Sequence, residues 1–344
     1  MRCRGRQADR ARSAHLAAFI ATAVLLTALC AVPRRPGSTL AGARHRRRGR
    51  AVGSWSSACS ILVGPRGLTT ARSERQPSMW EMAVASTWTA YNELAWTEDW
   101  LADPAEYEDE VGVYVDLIKR TAPEPPRSLL HLGSGAGGHD WIFKRHFAVT
   151  GVDLSPGMLD KARVAHPDIE YLEGDMRTLR LNRQFDAVAI PDSIDYMASL
   201  HDLRLAIQTA AIHLKPGGVL LVVAKTAETF QDNNFVYTGD KDGVQVTLFE
   251  NNFVNPSCPD TYEVTFVYLI RRHGELTIRT DHQVLGLFSQ TTWEQVFNDA
   301  ELAMQKTTLN GIYDKYLLGN GEYPLTVFIG RKSAALRATG SRAR

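Results

Sequence analysis

The chain has 344 residues, a formal net charge of +1, 44% hydrophobic residues and 22% charged ones. That length supports one large domain or two modest ones, and the composition excludes a collagen-like or wholly disordered chain. The charge is unevenly spread: residues 1–78 hold 15 Arg, no Lys and only Asp9 and Glu74, whereas 79–330 carries 19 basic against 36 acidic residues. An acidic body is poorly suited to tracking a phosphate backbone, so no nucleic-acid partner is expected. Cys3, Cys30 and Cys59 lie in the Arg-rich leader and Cys258 alone in the body, which leaves no disulfide framework and no thiolate metal site.

In chain order, Leu16 to Val32 is an uncharged run of 17 residues preceded by five Arg. It fits an export signal or a short membrane anchor. The composition of 1–78 fits better an unstructured extension, or translated sequence upstream of a start at Met79 or Met82. The folded body is expected over 79–330, with a disordered basic tail at 331–344. A cytoplasmic protein is expected, or an anchored or exported one if the apolar run is a genuine signal.

Asp103-Pro104-Ala105-Glu106 reads as a capping box opening a helix through Val111, Tyr114, Leu117 and Ile118. Strands then alternate with helices: Ser128–Leu132, Ala148–Val152, Ile169–Leu172, Phe185–Ile190 and Val219–Val223, with Ser155 capping a helix and Leu203–Leu214 marking another. This alternation predicts a doubly wound α/β domain with a mainly parallel sheet. Beyond residue 230, Val244–Leu248, Tyr262–Ile270 and Leu276–Ile278 alternate with polar neighbours, predicting an antiparallel insertion over about 231–289. Thr291–Glu294 reads as a further capping box, and Leu325–Ile329 as a closing strand.

The informative stretch is Ser128–Asp140. A strand feeds Gly133, Gly135, Gly137 and Gly138, and a helix follows, the arrangement that lets a backbone approach an anionic or nucleotide ligand closely. Asp153 ends the next strand, 20 residues after Gly133, where a carboxylate meets a bound ribose. The same glycines also fit a dinucleotide-binding turn, so a nicotinamide-dependent oxidoreductase is an alternative. Gly174-Asp175-Met176-Arg177 follows the third strand, where a carboxylate can accept from an adenine amino group. Lys215-Pro216-Gly217-Gly218 leads into the fifth.

Together these segments resemble the class I S-adenosylmethionine-dependent methyltransferases over about 127–225. A looser likeness over 85–330 extends to small-molecule N-methyltransferases acting on amino sugars and glycine-like amines. The resemblance implies a seven-stranded sheet and S-adenosyl-L-methionine as cofactor. It also implies a small-molecule acceptor, an amine in preference to an oxygen. A monomer or homodimer is expected and a membrane partner is not, and no metal is expected because no metal-ligand spacing appears in the sequence. Gly133, Ser134, Gly135 and Gly137 would hold the methionine part and Asp153 the ribose, with Leu154 and Met158 packing nearby. Asp175 and Met176 would read the adenine, and Ile190 and Asp192 would lie beside the sulfonium. His131 stands where the family usually has an acid that contacts the cofactor's amino group. Tyr91 would close over the cofactor, or is a core aromatic. Tyr196 would hold the nucleophile, or merely packs. Asp192 or Asp195 would accept its proton, Asp195 being also a candidate helix cap. His139 and His213 read as structural, and spacing leaves Glu250 and Arg279 unplaced. A non-catalytic module that binds the cofactor is a further alternative.

Overall fold

The computed structural model describes residues 88–102 and 104–333. The leader with its apolar run, the candidate starts Met79 and Met82, the cap at Asp103 and the tail from 334 lie outside the described residues. Among the described residues no helix is long and apolar enough to cross a membrane.

The chain enters through 3-10 turns at Thr89–Tyr91 and Ala95–Thr97 and a short helix α1, Glu98–Leu101. A further 3-10 turn, Pro104–Tyr107, precedes α2, Glu108–Thr121. Glu108, Asp109 and Glu110 in the first turn of α2, and Lys119 and Arg120 in the last, complement its dipole. Its buried stripe is Val111, Tyr114, Val115 and Ile118. The residue after it, Ala122, turns extended ahead of Pro123, as the steric demand of proline on its neighbour requires.

Seven strands then build one sheet. They are β1 (Ser128–Leu132), β2 (Ala148–Asp153), β3 (Glu170–Glu173), β4 (Phe185–Pro191), β5 (Leu214–Ala224), β10 (Leu302–Leu309) and β11 (Leu325–Lys332). Their order is β10-β11-β5-β4-β1-β2-β3, parallel from β3 to β5, with β11 antiparallel to both of its neighbours, β5 and β10. Helices α3 (Asp140–Phe143), α4 (Pro156–Ala165), α5 (Leu200–Ile212) and α6 (Gln290–Asp299) complete the domain. Two apolar layers cover the sheet. Leu129, Ala187 and Leu221 face α2, while Leu130, Val188 and Leu220 on the same strands face α5 and α6. Alternate residues of one strand thus enter opposite cores, as a sheet buried on both faces demands. The doubly wound α/β class is the observed one.

Three helices start on serine caps: Ser155, Ser199 and Ser289 accept from the backbone N–H of Met158, Asp202 and Thr292. The last corrects the sequence expectation, since the cap of α6 is Ser289 and not Thr291, and the helix begins one residue before Thr291. The Lys215–Gly218 segment belongs to β5 itself, bulged against β4, rather than preceding the strand.

The insertion is a four-stranded antiparallel sheet ordered β6 (Asn233–Lys241), β7 (Val244–Phe253), β8 (Thr261–Arg272) and β9 (Glu275–Gly286). Asp242-Gly243 and His273-Gly274, all at positive φ, make the two tight hairpin turns. Its apolar face, with Val246, Val264, Phe266 and Leu285, packs on Ala90 and Leu94 of the entering segment and on Tyr196. The insertion and the entering segment therefore share one core.

Candidate active site

Sheet order places the site. β1 lies between β2 and β4, so the connections leaving β1 diverge to either side, and ligands of open α/β sheets bind at the carboxyl ends beside such a point. There the structure opens a cavity of about 790 Å³. Crossing its wall from β3 to β5 gives Asp175 and Met176, then Asp153, then the loop Gly133–Gly138, then Asp192, then Lys225.

The loop after β1 leaves no room for substitution at its start. A Cβ on Gly133, which has φ +72°, would meet Ser193 Oγ at 2.1 Å. Gly135 (φ +53°) faces open space, with nothing within 4 Å of a Cβ placed there, so its backbone is presented to the cavity. Asp153 ties the loop down: Gly135 N–H donates to its Oδ2 at 2.8 Å and Ser155 N–H to its Oδ1 at 2.8 Å. Arg177 clamps Asp175 from one side (2.6–3.0 Å) and, outweighing burial, holds its carboxyl below the usual range.

Tyr196 sits on the 3-10 turn Ser193–Tyr196 after β4, its ring against Trp88 at 5.3 Å and edge-on to Tyr91. Its hydroxyl donates to Gln283 Oε1 (3.0 Å) and is hydrogen-bonded to the Tyr91 hydroxyl. Gln283 is oriented by donating to Asp281 Oδ2, which also accepts from Ala90 N–H. Burial pushes the pKa of both tyrosines upward, so they stay protonated. Asp192 takes the left-handed backbone region at φ +57°, a strained setting for a residue with a side chain. Burial raises its pKa, against the pull of Lys225 and of the Tyr313 hydroxyl.

Of the residues singled out from sequence, Tyr91, Gly133, Ser134, Gly135, Gly137, Asp153, Leu154, Met158, Asp175, Met176, Asp192 and Tyr196 line this one cavity. Three do not. His131 is buried beneath the loop with Nδ1 2.7 Å from Asp140 Oδ1. Ile190 lies wholly in the core. Asp195 accepts from Lys225 Nζ (3.0 Å) and Tyr262 (3.1 Å) behind the wall, where it caps no helix, the α5 cap being Ser199. Burial raises Asp195 to about 6 against the pull of Lys225. Burial drags Lys225 down, but Tyr262, Tyr323, Asp195 and Asp192 outweigh it, so the pair is charged at neutral pH.

Glu250 is placed by the structure in the cavity wall, its pKa raised by burial. Arg279 is on the surface, paired with Glu93. Sequence reasoning missed Lys225, Tyr262, Gln283 and Glu110. Lys225 carried the clearest signal, as a charge directly after a continuous apolar strand. His139, read as structural, lies in the wall and packs edge-on to Tyr107.

Comparison with known proteins agrees with this architecture. A family described as a methyltransferase domain matches residues 129–218. The dTDP-3-amino-3,4,6-trideoxy-alpha-D-glucopyranose N,N-dimethyltransferase of Streptomyces venezuelae is 38% identical over 206 residues, 58% of this chain and 85% of that enzyme. The crystal structure of Streptomyces venezuelae DesVI aligns with a TM-score of 0.56 at 28% identity, covering 66% of this chain and 92% of that one. The S-adenosylmethionine-bound structure of CalS10, an amino pentose methyltransferase from Micromonospora echinaspora, shares the fold (TM-score 0.56, 22% identity, 70% and 96% covered).

Fold, cavity and relatives together define the class: the chain belongs to the class I S-adenosylmethionine-dependent methyltransferases. Within that class it is a small-molecule N-methyltransferase, and S-adenosylmethionine is its methyl donor. The nicotinamide reading of the glycine turn is thereby set aside. The residues fit the donor, since an open glycine backbone, two carboxylates and apolar side chains share one cavity large enough for a donor and an acceptor.

Proposed function

We propose that this enzyme methylates the amino group of a nucleotide-linked deoxyamino sugar. The relative with 38% identity acts on such a sugar, and the carboxylates Asp192 and Glu250 in the cavity suit a basic acceptor. In this reading Gly133, Ser134, Gly135 and Gly137 hold the methionine part of the donor. Asp153 holds the ribose, Asp175 and Met176 the adenine, and Leu154 and Met158 pack against it. Because the donor is made inside cells, the reaction is assigned to the cytoplasm.

Bound S-adenosylmethionine supplies a methyl group already activated by its sulfonium, so the protein's task is alignment and proton management. Alignment of this kind supplies about 7–11 kcal/mol in favourable cases. Tyr196 is the positioning contact for the acceptor, and one observation carries this. Its proton goes to Gln283, the Tyr91 hydroxyl donates to it, and one lone pair is left for an acceptor N–H. An amine must be neutral to attack, and Asp192, with its carboxyl pushed upward by burial, takes the proton. Asp195 acts through Lys225 rather than on the acceptor. Tyr91 closes the donor end and shields it from water.

The test is incubation with labelled methyl donor and a panel of amino sugars, simple amines and phenols, followed by mass analysis. Label on a nucleotide-linked amino sugar is expected. Label on phenols alone would move the enzyme to oxygen acceptors, and donor binding without any transfer would leave a non-catalytic module. Tyr196→Phe keeps the ring packing but removes the hydroxyl, and kcat should fall by about 10–100-fold, equivalent to the loss of one or two positioned hydrogen bonds.

A further inference from the structure

At the cavity wall, polar side-chain atoms of Glu110, His139 and Asp192 converge. Glu110, in the first turn of α2, is buried, and its two oxygens accept from the hydroxyls of Tyr114 (2.5 Å) and Tyr313 (3.0 Å). His139 directs Nε2 to within 4.0 Å of Glu110 Oε1, and that nitrogen is buried without a hydrogen-bond partner. Asp192 completes the group, and one donor atom from each of the three lies within 4.8 Å of the others. Burial drives the His139 pKa down to about 3, so the ring is neutral, and with its proton on Nδ1 it offers the Nε2 lone pair to the group.

Two carboxylates and an imidazole lone pair facing one another are mutually unfavourable until a proton or another positive group enters, and above about pH 7 Glu110 no longer keeps the proton. The spacing says which kind. Ligands of a tetrahedral metal with bonds of about 2.1 Å stand about 3.4 Å apart. Acceptors around a tetrahedral nitrogen, each at about 2.8 Å, stand about 4.6 Å apart. The observed 4.0 Å, with all three within 4.8 Å, suits a primary ammonium, which brings three N–H donors to three acceptors.

Position says whose ammonium it is. His139 follows the glycine loop directly, and Asp192 precedes Ser193, whose Oγ bonds Leu132 C=O at the start of that loop. Asp153 and Asp175 lie on the β2–β3 side and this cluster on the β1–β4 side. A donor with its adenosine at the former puts its amino-acid end at the latter. His131, within the strand beneath, is committed to Asp140 and does not reach the cavity.

We infer that His139 and one carboxylate oxygen of Asp192 in the wall, with Glu110 behind them, form the acceptor site for the α-ammonium of the methyl donor's methionine end, the second Asp192 oxygen being left for the proton of the methyl acceptor. This rests on the placement of the donor proposed above.

The experiment is calorimetric binding of S-adenosylhomocysteine, which carries the ammonium, and of 5′-methylthioadenosine, which lacks the amino-acid terminus. Both are titrated into the full chain and into Glu110→Gln and His139→Phe. In each variant the first ligand should weaken at least about tenfold (about 1.4 kcal/mol), while the second stays within about twofold. Equal weakening of both ligands, or unchanged S-adenosylhomocysteine binding, overturns the inference while leaving the donor placement standing. Loss of affinity for the acceptor sugar alone would assign the cluster to the acceptor amine and overturn it too. So would abolition of binding by a chelator, which would point to a metal. Failure of both ligands to bind the unaltered protein would remove the donor placement and the inference with it.

Discussion

Single residues in this enzyme are constrained by what stands opposite them across the β1–β4 boundary. Gly133 is the sharpest case, with Ser193 Oγ 2.1 Å from where its Cβ would be and a backbone at φ +72°. Gly133→Ala should cost more than about 1 kcal/mol of stability, since Ala is strained at positive φ, and should weaken S-adenosylhomocysteine binding. Urea denaturation and calorimetry read both, and unchanged values would mean the loop yields more readily than its contacts imply. Tyr196 and Gln283 illustrate a different constraint. Neither is near the other in sequence, yet the carbonyl of one amide decides which way a hydroxyl points. That hydroxyl was legible as a candidate from the turn after the fourth strand; its orienting partner, 87 positions away, was not.

At the scale of elements, caps and edges decide where helices and strands begin. Ser289 Oγ accepts from Thr292 N–H, so Ser289→Ala should lower stability by about 1 kcal/mol. Thr291→Ala, inside the first turn, should stay within about 0.5 kcal/mol. Chemical denaturation of the two variants separates the observed cap from the one the sequence pattern suggests, and a larger loss at Thr291 would reverse the assignment. Both Ser289 and Thr291 precede the same apolar run, which is why pattern alone chose the wrong one. β10 shows the complementary limit. Between Leu302 and Leu309 its side chains are mostly exposed, because it is an edge strand, so it has no apolar alternation to read. β6 was also missed, although Asp242-Gly243 is a strong hairpin signal that pointed backward to it as well as forward to β7.

For the molecule as a whole, the buried ionisable groups couple folding to pH. Burial and the neighbouring Asp192 raise Glu110 to about 7 against the hydrogen bonds of Tyr114 and Tyr313. Its folded pKa therefore lies above that of the unfolded chain, so the folded state holds the extra proton between about pH 4.5 and 7, and stability falls as pH rises through that window. Asp195 and Asp192, both raised, act in the same direction. His139, lowered to about 3, acts oppositely below about pH 6.5, while Lys225 stays protonated throughout. Glu110→Gln isolates one contribution. The stability of the unaltered, ligand-free protein relative to this variant should decline from pH 5 to 7.5, with a slope of at most about 1.4 kcal/mol per pH unit. A relative stability that is flat or rises would show that Glu110 ionises normally in the fold.

The sequence by itself determined the alternating strands and helices, the glycine turn and the acids that end β2 and follow β3. Each of these is written in local periodicity or in residues a few positions apart, and the backbone must obey such patterns wherever the segment lies. Only the tertiary structure decided that His131 turns to Asp140, that Lys225 pairs with Asp195, and that Glu250, Gln283 and Glu110 gather near Asp192 and Tyr196. Those meetings join a helix before the sheet, turns at its carboxyl edge and an insertion after its fifth strand. Which of their side chains face one another is set by strand order and by the packing of one sheet over another. Burial then changes the chemistry of each group in ways that no local pattern records.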